Sequence, residues 1–90
     1  MAAYIISYDL NRPGQDYQDL YDAIKALSGT YWHMLDSTWI VVCSKSAAQI
    51  RDKLTPSLDS NDKLLVLKSG VEAAWYGFGD KGSKWLKENL

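Results

Sequence analysis

The sequence predicts a single α+β domain, residues 1–90, in which two helices cover one face of a four-stranded antiparallel sheet and a C-terminal arm follows. Two observations carry this prediction. Segments rich in β-branched and aromatic residues alternate with segments whose apolar residues recur every three or four positions, as strands and amphipathic helices require. Their order is strand, helix, strand, strand, helix, strand, and a chain of 90 residues is long enough for one core only.

The first strand and the first helix are both bounded by turn residues. Residues 4–10 are β-branched and aromatic, and residues 11–14, Asn-Arg-Pro-Gly, break the strand with turn chemistry. Asp16 is then placed to cap a helix, which Ser28 and Gly29 end. The apolar stripe predicted for this helix consists of Tyr17, Leu20, Tyr21, Ile24 and Leu27.

Two further strands are predicted at residues 31–35 and 38–43, separated by Asp36 and Ser37. Both faces of this pair are apolar. One face would carry Trp32, Met34, Ile40 and Val42, and the other Tyr31, Leu35, Trp39 and Val41. A sheet covered on one side only reads polar on its other side, so the second apolar face predicts a partner, which we expect to be a second copy of the chain.

The second helix begins with the spacing of a capping box, Ser46 and Gln49, and ends near Pro56. Its predicted buried residues are Ala47, Ile50 and Leu54. A strand follows at residues 63–68, then a short strand or arm at 71–78, and one or two helical turns at 83–90. The element order up to residue 68 is that of the ferredoxin-like βαββαβ plan.

Composition excludes several classes of protein. The net charge is −1, so a protein that grips long stretches of nucleic acid through a basic surface is not indicated, and any contact with nucleic acid should be local or assisted by a metal. Cys43 is the only cysteine, which rules out an intrachain disulfide and a cysteine-based zinc site. The sequence has no apolar run of membrane-spanning length, and we expect a cytoplasmic protein without membrane contact.

A carboxylate at the end of the first strand is the most specific chemical feature of the sequence. Asp9 sits where a scaffold would hold a catalytic or metal-binding group rigidly, although an aspartate there can also cap the following turn. Asn11 and Arg12 of that turn are the candidate contacts to nucleic acid.

Two further residues are candidates for catalysis, and each has a structural alternative. His33 is the only histidine and is either a general base or a packed residue of an aromatic strand. Ser37 beside Asp36 either contacts a phosphate or simply belongs to the turn between two strands. The aromatic residues also allow two interpretations, stacking on bases or packing in a core, and these concern Trp32, Trp39, Trp75 and Tyr76.

Three segments carry a resemblance to a known group: the first strand ending at Tyr8 and Asp9, residues 33–40, and residues 62–66. In this layout the chain resembles the small ferredoxin-like proteins of CRISPR adaptation and, more loosely, the virulence-associated protein D toxins. The resemblance implies a homodimer in which the Asp9 carboxylates of two subunits meet at the interface and hold a magnesium ion. It also implies metal-dependent endonuclease activity and a C-terminal arm that crosses to the other subunit.

The charge of such a pair makes a bound cation plausible on physical grounds as well. Two carboxylates about 4 Å apart repel by roughly 4 kcal/mol at an effective dielectric constant of 20, so they separate, share a proton or bind a cation. Two functions are therefore open. The first is a dimeric nucleic-acid-associated protein, as a magnesium-dependent nuclease that uses paired Asp9. The second, favoured by the acidic composition, is a catalytically silent dimer that binds a second protein in a phage-defence or toxin–antitoxin setting.

Overall fold

The structure is a computed structural model that describes residues 2–10, 17–70 and 72–90. It contains four strands and three α-helices, and a 3₁₀ turn at Thr55–Ser57 follows the second helix. In chain order the elements are β1 (Ala2–Asp9), α1 (Gln18–Leu27), β2 (Tyr31–Leu35), β3 (Thr38–Cys43), α2 (Ala47–Leu54), β4 (Lys63–Lys68) and α3 (Asp80–Asn89). No helix within these described ranges is long and apolar enough to span a membrane.

The four strands form one antiparallel sheet with the spatial order β2-β3-β1-β4. The predicted α+β class and antiparallel sheet are confirmed, and the arrangement is compatible with a ferredoxin-like fold. β1 lies in the interior of the sheet, where Ile5 pairs with Ile40 of β3 and with Leu67 of β4. The outer strands are β2 and β4, so each has one neighbour in the sheet.

One face of the sheet, here called the helical face, packs against α1 and α2. β1 contributes Tyr4, Ile6 and Tyr8 to this core, which is what its alternation of side chains requires. The buried residues that join them are Leu20, Ile24, Leu27, Trp39, Val41, Cys43, Ile50 and Leu54. The predicted stripes of both helices are thus correct, except that Tyr17, Tyr21 and Ala47 are half-buried at the edge of the core.

The ends of α2 follow the prediction closely. Ser46 Oγ accepts a hydrogen bond from the backbone N–H of Gln49 at 3.2 Å, and the Ser46 N–H donates to Gln49 Oε1 at 2.8 Å. This reciprocal pair is a complete capping box. Helix α2 ends at Leu54, and Pro56 lies in the 3₁₀ turn that follows. The capping role predicted for Asp16 at α1 lies outside the described residues.

The opposite face of the sheet, here called the second face, is covered in part by the chain's own C-terminal segment. Leu86 of α3 is buried there against Ala3, Trp32 and Ile40. This corrects the expectation that a single subunit leaves the face bare, because α3 lies over the β2, β3 and β1 side of the sheet. On β4 the cover is incomplete, and Leu65 and Leu67 remain 54% and 50% exposed.

The C-terminal segment also differs from its predicted form. Residues 72–79 contain no strand, and their Trp75 and Phe78 pack against the second-face cluster of the same subunit. Helix α3 is longer than the one or two turns predicted for residues 83–90, since it begins at Asp80. Gly77 has a φ of +93°, a left-handed conformation that favours glycine, and this turn directs the chain into α3. Residue 71 is not among the described residues.

A register shift in β2 changes one predicted face. Trp32 pairs with Ile40, whereas Leu35 pairs with Thr38, so an irregularity lies between them. Paired residues of antiparallel strands point to the same face, and Thr38 also pairs with Ser7 of β1. Leu35 therefore points to the second face, not to the helical face that simple alternation predicts.

Candidate functional site

Asp9 is the last residue of β1, and its side chain is exposed. It pairs with Lys63 of β4, while Ser7 pairs with Leu65. Because side chains alternate along a strand, Asp9 points to the second face together with Ser7 and Leu65. These residues line a shallow depression of about 220 Å³ between the ends of β1 and β4. Asp9 thus has the accessible position on a rigid strand that the sequence predicts.

Ser37 lies in the turn between β2 and β3 and is close to the end of β1. Its backbone carbonyl accepts a hydrogen bond from the Tyr8 N–H at 3.1 Å, which brings the turn to the residue before Asp9. The side chain of Ser37 is exposed. The structure therefore places Ser37 and Asp9 at the same end of the sheet, as a shared role would require.

His33 lies elsewhere. Its ring stacks on the ring of Trp39 with a centroid distance of 3.7 Å and an interplanar angle of 11°. Trp39 belongs to the core of the helical face, whereas Asp9 points to the second face. Strand β3 also separates β2 from β1, a lateral spacing of about 10 Å. The histidine is thus on the other side of the sheet from Asp9, and its predicted role as a general base stays a prediction.

A buried hydrogen-bond network near Asp9 was missed by the sequence analysis. Trp39 Nε1 donates to the Tyr8 hydroxyl oxygen at 3.0 Å, and the Tyr8 hydroxyl donates to the backbone carbonyl of Asp36 at 3.3 Å. The network ties the β2–β3 turn to the end of β1, so it helps to fix the backbone beside Asp9. The only signal in the sequence is the alternation that directs Tyr8 and Trp39 to the same face.

Burial raises the pKa of Tyr8 above its ordinary value of 10.0, because the ionised phenolate would lose hydration. The hydrogen bond from Trp39 acts in the opposite direction by favouring the phenolate. Negative charge on Tyr21 and Asp36 would raise the pKa further. The folded state therefore keeps Tyr8 protonated at a pH at which an exposed tyrosine ionises.

We expect Tyr8→Phe to lower the free energy of unfolding by about 1–3 kcal/mol at neutral pH, because Trp39 Nε1 loses its buried acceptor. The raised pKa of Tyr8 favours folding fully below pH 10 and progressively less as the pH rises above that value. The stability difference between wild type and variant should therefore shrink in alkaline solution. Urea denaturation at neutral and alkaline pH measures both values, and a difference that does not change with pH would contradict this origin.

The other predictions for the site concern contacts to nucleic acid and a magnesium ion. Asn11 and Arg12 lie outside the described residues. Within residues 2–10, 17–70 and 72–90, no cluster of three or more His, Cys, Asp or Glu side chains could hold a metal ion. Asp9 offers a single carboxylate, and magnesium is usually held by one or two carboxylates together with waters and substrate phosphates.

Comparison with known proteins gives no assignment for this chain. No family model matches it, and no solved structure matches it at a significant level.

Proposed function

We propose that the protein is a nucleic-acid-associated homodimer in which the Asp9 side chains of the two subunits lie close together and hold a magnesium ion. One observation carries the proposal: Asp9 shares the second face with Leu65, which is 54% exposed on the outer strand β4. A two-fold contact places the same surface on both subunits. A contact that buries Leu65 and whose two-fold axis passes beside Asp9 would therefore bring the two Asp9 side chains together.

The exposed leucines supply a physical reason for the dimer. Leu65 and Leu67 lie two positions apart on β4 and so project from the same face. Each buried CH₂ group contributes about 0.8 kcal/mol, so covering four leucines in a symmetric contact favours association. A specific interface buries about 1,600 Å² in total, which would need the adjoining part of β1 as well.

Asp9 would be the protein's ligand to the ion, one carboxylate from each subunit. A magnesium ion at this position would neutralise charge on a phosphodiester and activate water for its hydrolysis. Without the ion, the two carboxylates would repel each other, which would weaken the dimer. Asn11 and Arg12 follow Asp9 closely in the sequence and are the proposed contacts to phosphate, and Ser37 would assist from the neighbouring turn.

The test is Asp9→Asn in a magnesium-dependent nuclease assay on DNA and RNA. We expect wild type to cleave only with magnesium and Asp9→Asn to lose cleavage. Light scattering should still detect a dimer of the variant, because the amide removes the charge but leaves the contact through Leu65 and Leu67 intact. Asp19→Asn is the matched control, since it changes the same charge on the exposed surface of α1 and should cleave normally. Cleavage that persists in Asp9→Asn would rule out the paired-aspartate site.

A second function is favoured by the position of His33. Its stacking on Trp39 keeps it on the opposite face from Asp9, so the predicted general base does not adjoin the predicted metal ligand. A catalytically silent dimer that binds a second protein, in a phage-defence or toxin–antitoxin setting, needs no such base. If the wild type is a dimer without magnesium-dependent cleavage, this function becomes the better account.

A further inference from the structure

A cavity of about 270 Å³ lies between the outer strand β2 and helix α3, away from Asp9. It is lined by residues 31–34 of the strand and by Lys81, Gly82 and Trp85 of the helix. Small-molecule sites usually measure about 300–1,000 Å³, so this cavity suits a group of one ring system and its substituent. Its walls combine one cation with the aromatic rings of Trp32 and Trp85, which also pack in the core of the second face.

The aromatic walls are held in fixed positions. Trp32 is buried and meets Phe78 edge to face, with ring centroids 4.8 Å apart and an interplanar angle of 89°. Tyr31 pairs with Val41 and its ring lies 5.6 Å from that of Trp39, so its side chain belongs to the helical face, whereas Trp85 is half-buried beside the cavity. The indole Nε1 of Trp32 is buried without a hydrogen-bond acceptor in the part of the chain that the structure describes. A flat ring would stack against aromatic walls of this kind.

The charge of the cavity favours an anion. Lys81 lies in the first turn of α3, where the helix dipole adds positive potential. Three lysines of α3 stand against Asp80 and Glu88, so this helix is positive within a chain whose net charge is −1. No acidic side chain lines the cavity among the described residues. A ligand with a flat ring and a negative group fits both the walls and the charge.

From these observations we infer that the cavity binds an unpaired nucleotide, with the base between the aromatic walls and the phosphate at Lys81. The inference rests on the proposed association with nucleic acid and adds a second binding site to it, between β2 and α3. A base inside a duplex is stacked on its neighbours and cannot enter, so a single strand or a free nucleotide is the ligand. The outer edge of β2 would also suit an added peptide strand, but such a strand binds through backbone groups and has no use for Lys81.

The experiment measures binding in EDTA, where cleavage cannot occur. The probes are a fluorescein-labelled single-stranded oligodeoxythymidine, the corresponding duplex, and unlabelled AMP and TMP as competitors. Fluorescence anisotropy should show preference for the single strand. Lys81→Ala should weaken binding and lower the slope of log affinity against log salt by about 1, as expected for one lost phosphate contact. Trp85→Ala should weaken binding about five- to hundredfold through lost stacking.

Matched controls lie on the same segment. Lys84→Ala removes an exposed charge of α3, and Tyr76→Ala removes an aromatic ring that is 97% exposed; neither residue lines the cavity, so both variants should bind normally. Trp85→Leu replaces Trp85→Ala if the latter does not fold, because leucine keeps the apolar packing of Trp85 but cannot stack on a base. Because binding is measured without the ion that Asp9 would hold, a failed nuclease test and a failed binding test remain distinguishable.

The competition results distinguish a free nucleotide from a nucleic-acid strand as the ligand. Competition by a mononucleotide would identify free nucleotides as sufficient, and binding of the oligonucleotide alone would identify a strand. Equal losses of affinity in Lys81→Ala and Lys84→Ala would overturn the inference, because binding would then depend on the total charge of α3 and not on the cavity. Equal affinity for the duplex, or no binding of any probe, would also overturn it, and the free edge of β2 would then be left for a peptide.

Discussion

Replacing Ile24 with alanine should lower the free energy of unfolding by about 2–5 kcal/mol. Ile24 is fully buried between α1 and the helical face of the sheet, where it belongs to the same cluster as Ile6 and Leu54. The truncation removes apolar contacts and leaves a cavity that a close-packed core fills only in part. Leu54→Ala should cost about as much. In a domain whose total stability is about 5–15 kcal/mol, either change unfolds a measurable fraction of the protein.

Urea denaturation followed by far-ultraviolet circular dichroism measures these losses. Leu35→Ala is the matched control, because Leu35 is an exposed apolar residue at the end of an outer strand and its truncation should cost well below 1 kcal/mol. A loss below 1 kcal/mol in Ile24→Ala would mean that the assignment of the buried face of α1 is wrong.

The second large effect concerns the attachment of α3. Leu86 is 2% exposed and is the residue through which this helix enters the second-face core. Leu86→Ala should lower the free energy of unfolding by about 2–5 kcal/mol, and it should release α3 before the rest of the domain unfolds. Hydrogen exchange would detect this as faster exchange of the α3 amides, with those of β1 and β3 still protected.

Leu90→Ala provides the comparison within the same segment, since Leu90 follows α3 and is 39% exposed. Its replacement should change the stability by only a few tenths of a kcal/mol. Similar small losses in both variants would contradict the packing of α3 on its own subunit. That result would favour an arrangement in which the C-terminal segment crosses to another subunit, as the resemblance implies.

Local patterns in the sequence were sufficient to predict most of the sheet and two of its helices. The strand pair 31–35 and 38–43 has the bounds that its composition indicates, and the capping box at Ser46 and Gln49 is complete. Such features depend on residues that are neighbours in the sequence. The side chains of β1 were also predictable, because a buried strand must alternate between its two faces.

The packing of α3 on the second face could not be predicted from local patterns. Gly77, Gly79 and Gly82 lower the intrinsic preference for helix around the start of α3, and glycine in a helix costs about 1 kcal/mol relative to alanine. Burial of Leu86 against residues distant in sequence outweighs this preference. The sequence correctly predicted that the second face is apolar. The same pattern is expected whether the chain's own C-terminal segment or a partner packs on that face.

For the candidate site as well, some features could be predicted from the sequence and others could not. The exposed position of Asp9 at the end of β1 could be predicted, because residues with a turn preference follow it in the sequence. The stacking of His33 on Trp39 could not, because it depends on the register of β2 against β3 and on the irregularity within that register. The hydrogen bond from Trp39 to Tyr8 likewise joins two strands whose pairing no local pattern specifies.

Strand β4 has a consequence for how the protein avoids aggregation. Its apolar centre, Leu64 to Leu67, lies at an open edge of the sheet, and such a strand is a template for further strands from other molecules. Lys63 and Lys68, both exposed, bracket this centre. Charges at the ends of an apolar edge act as gatekeepers, since an added strand in register would bring like charges together. The lysines thus oppose the growth of a fibre along this edge.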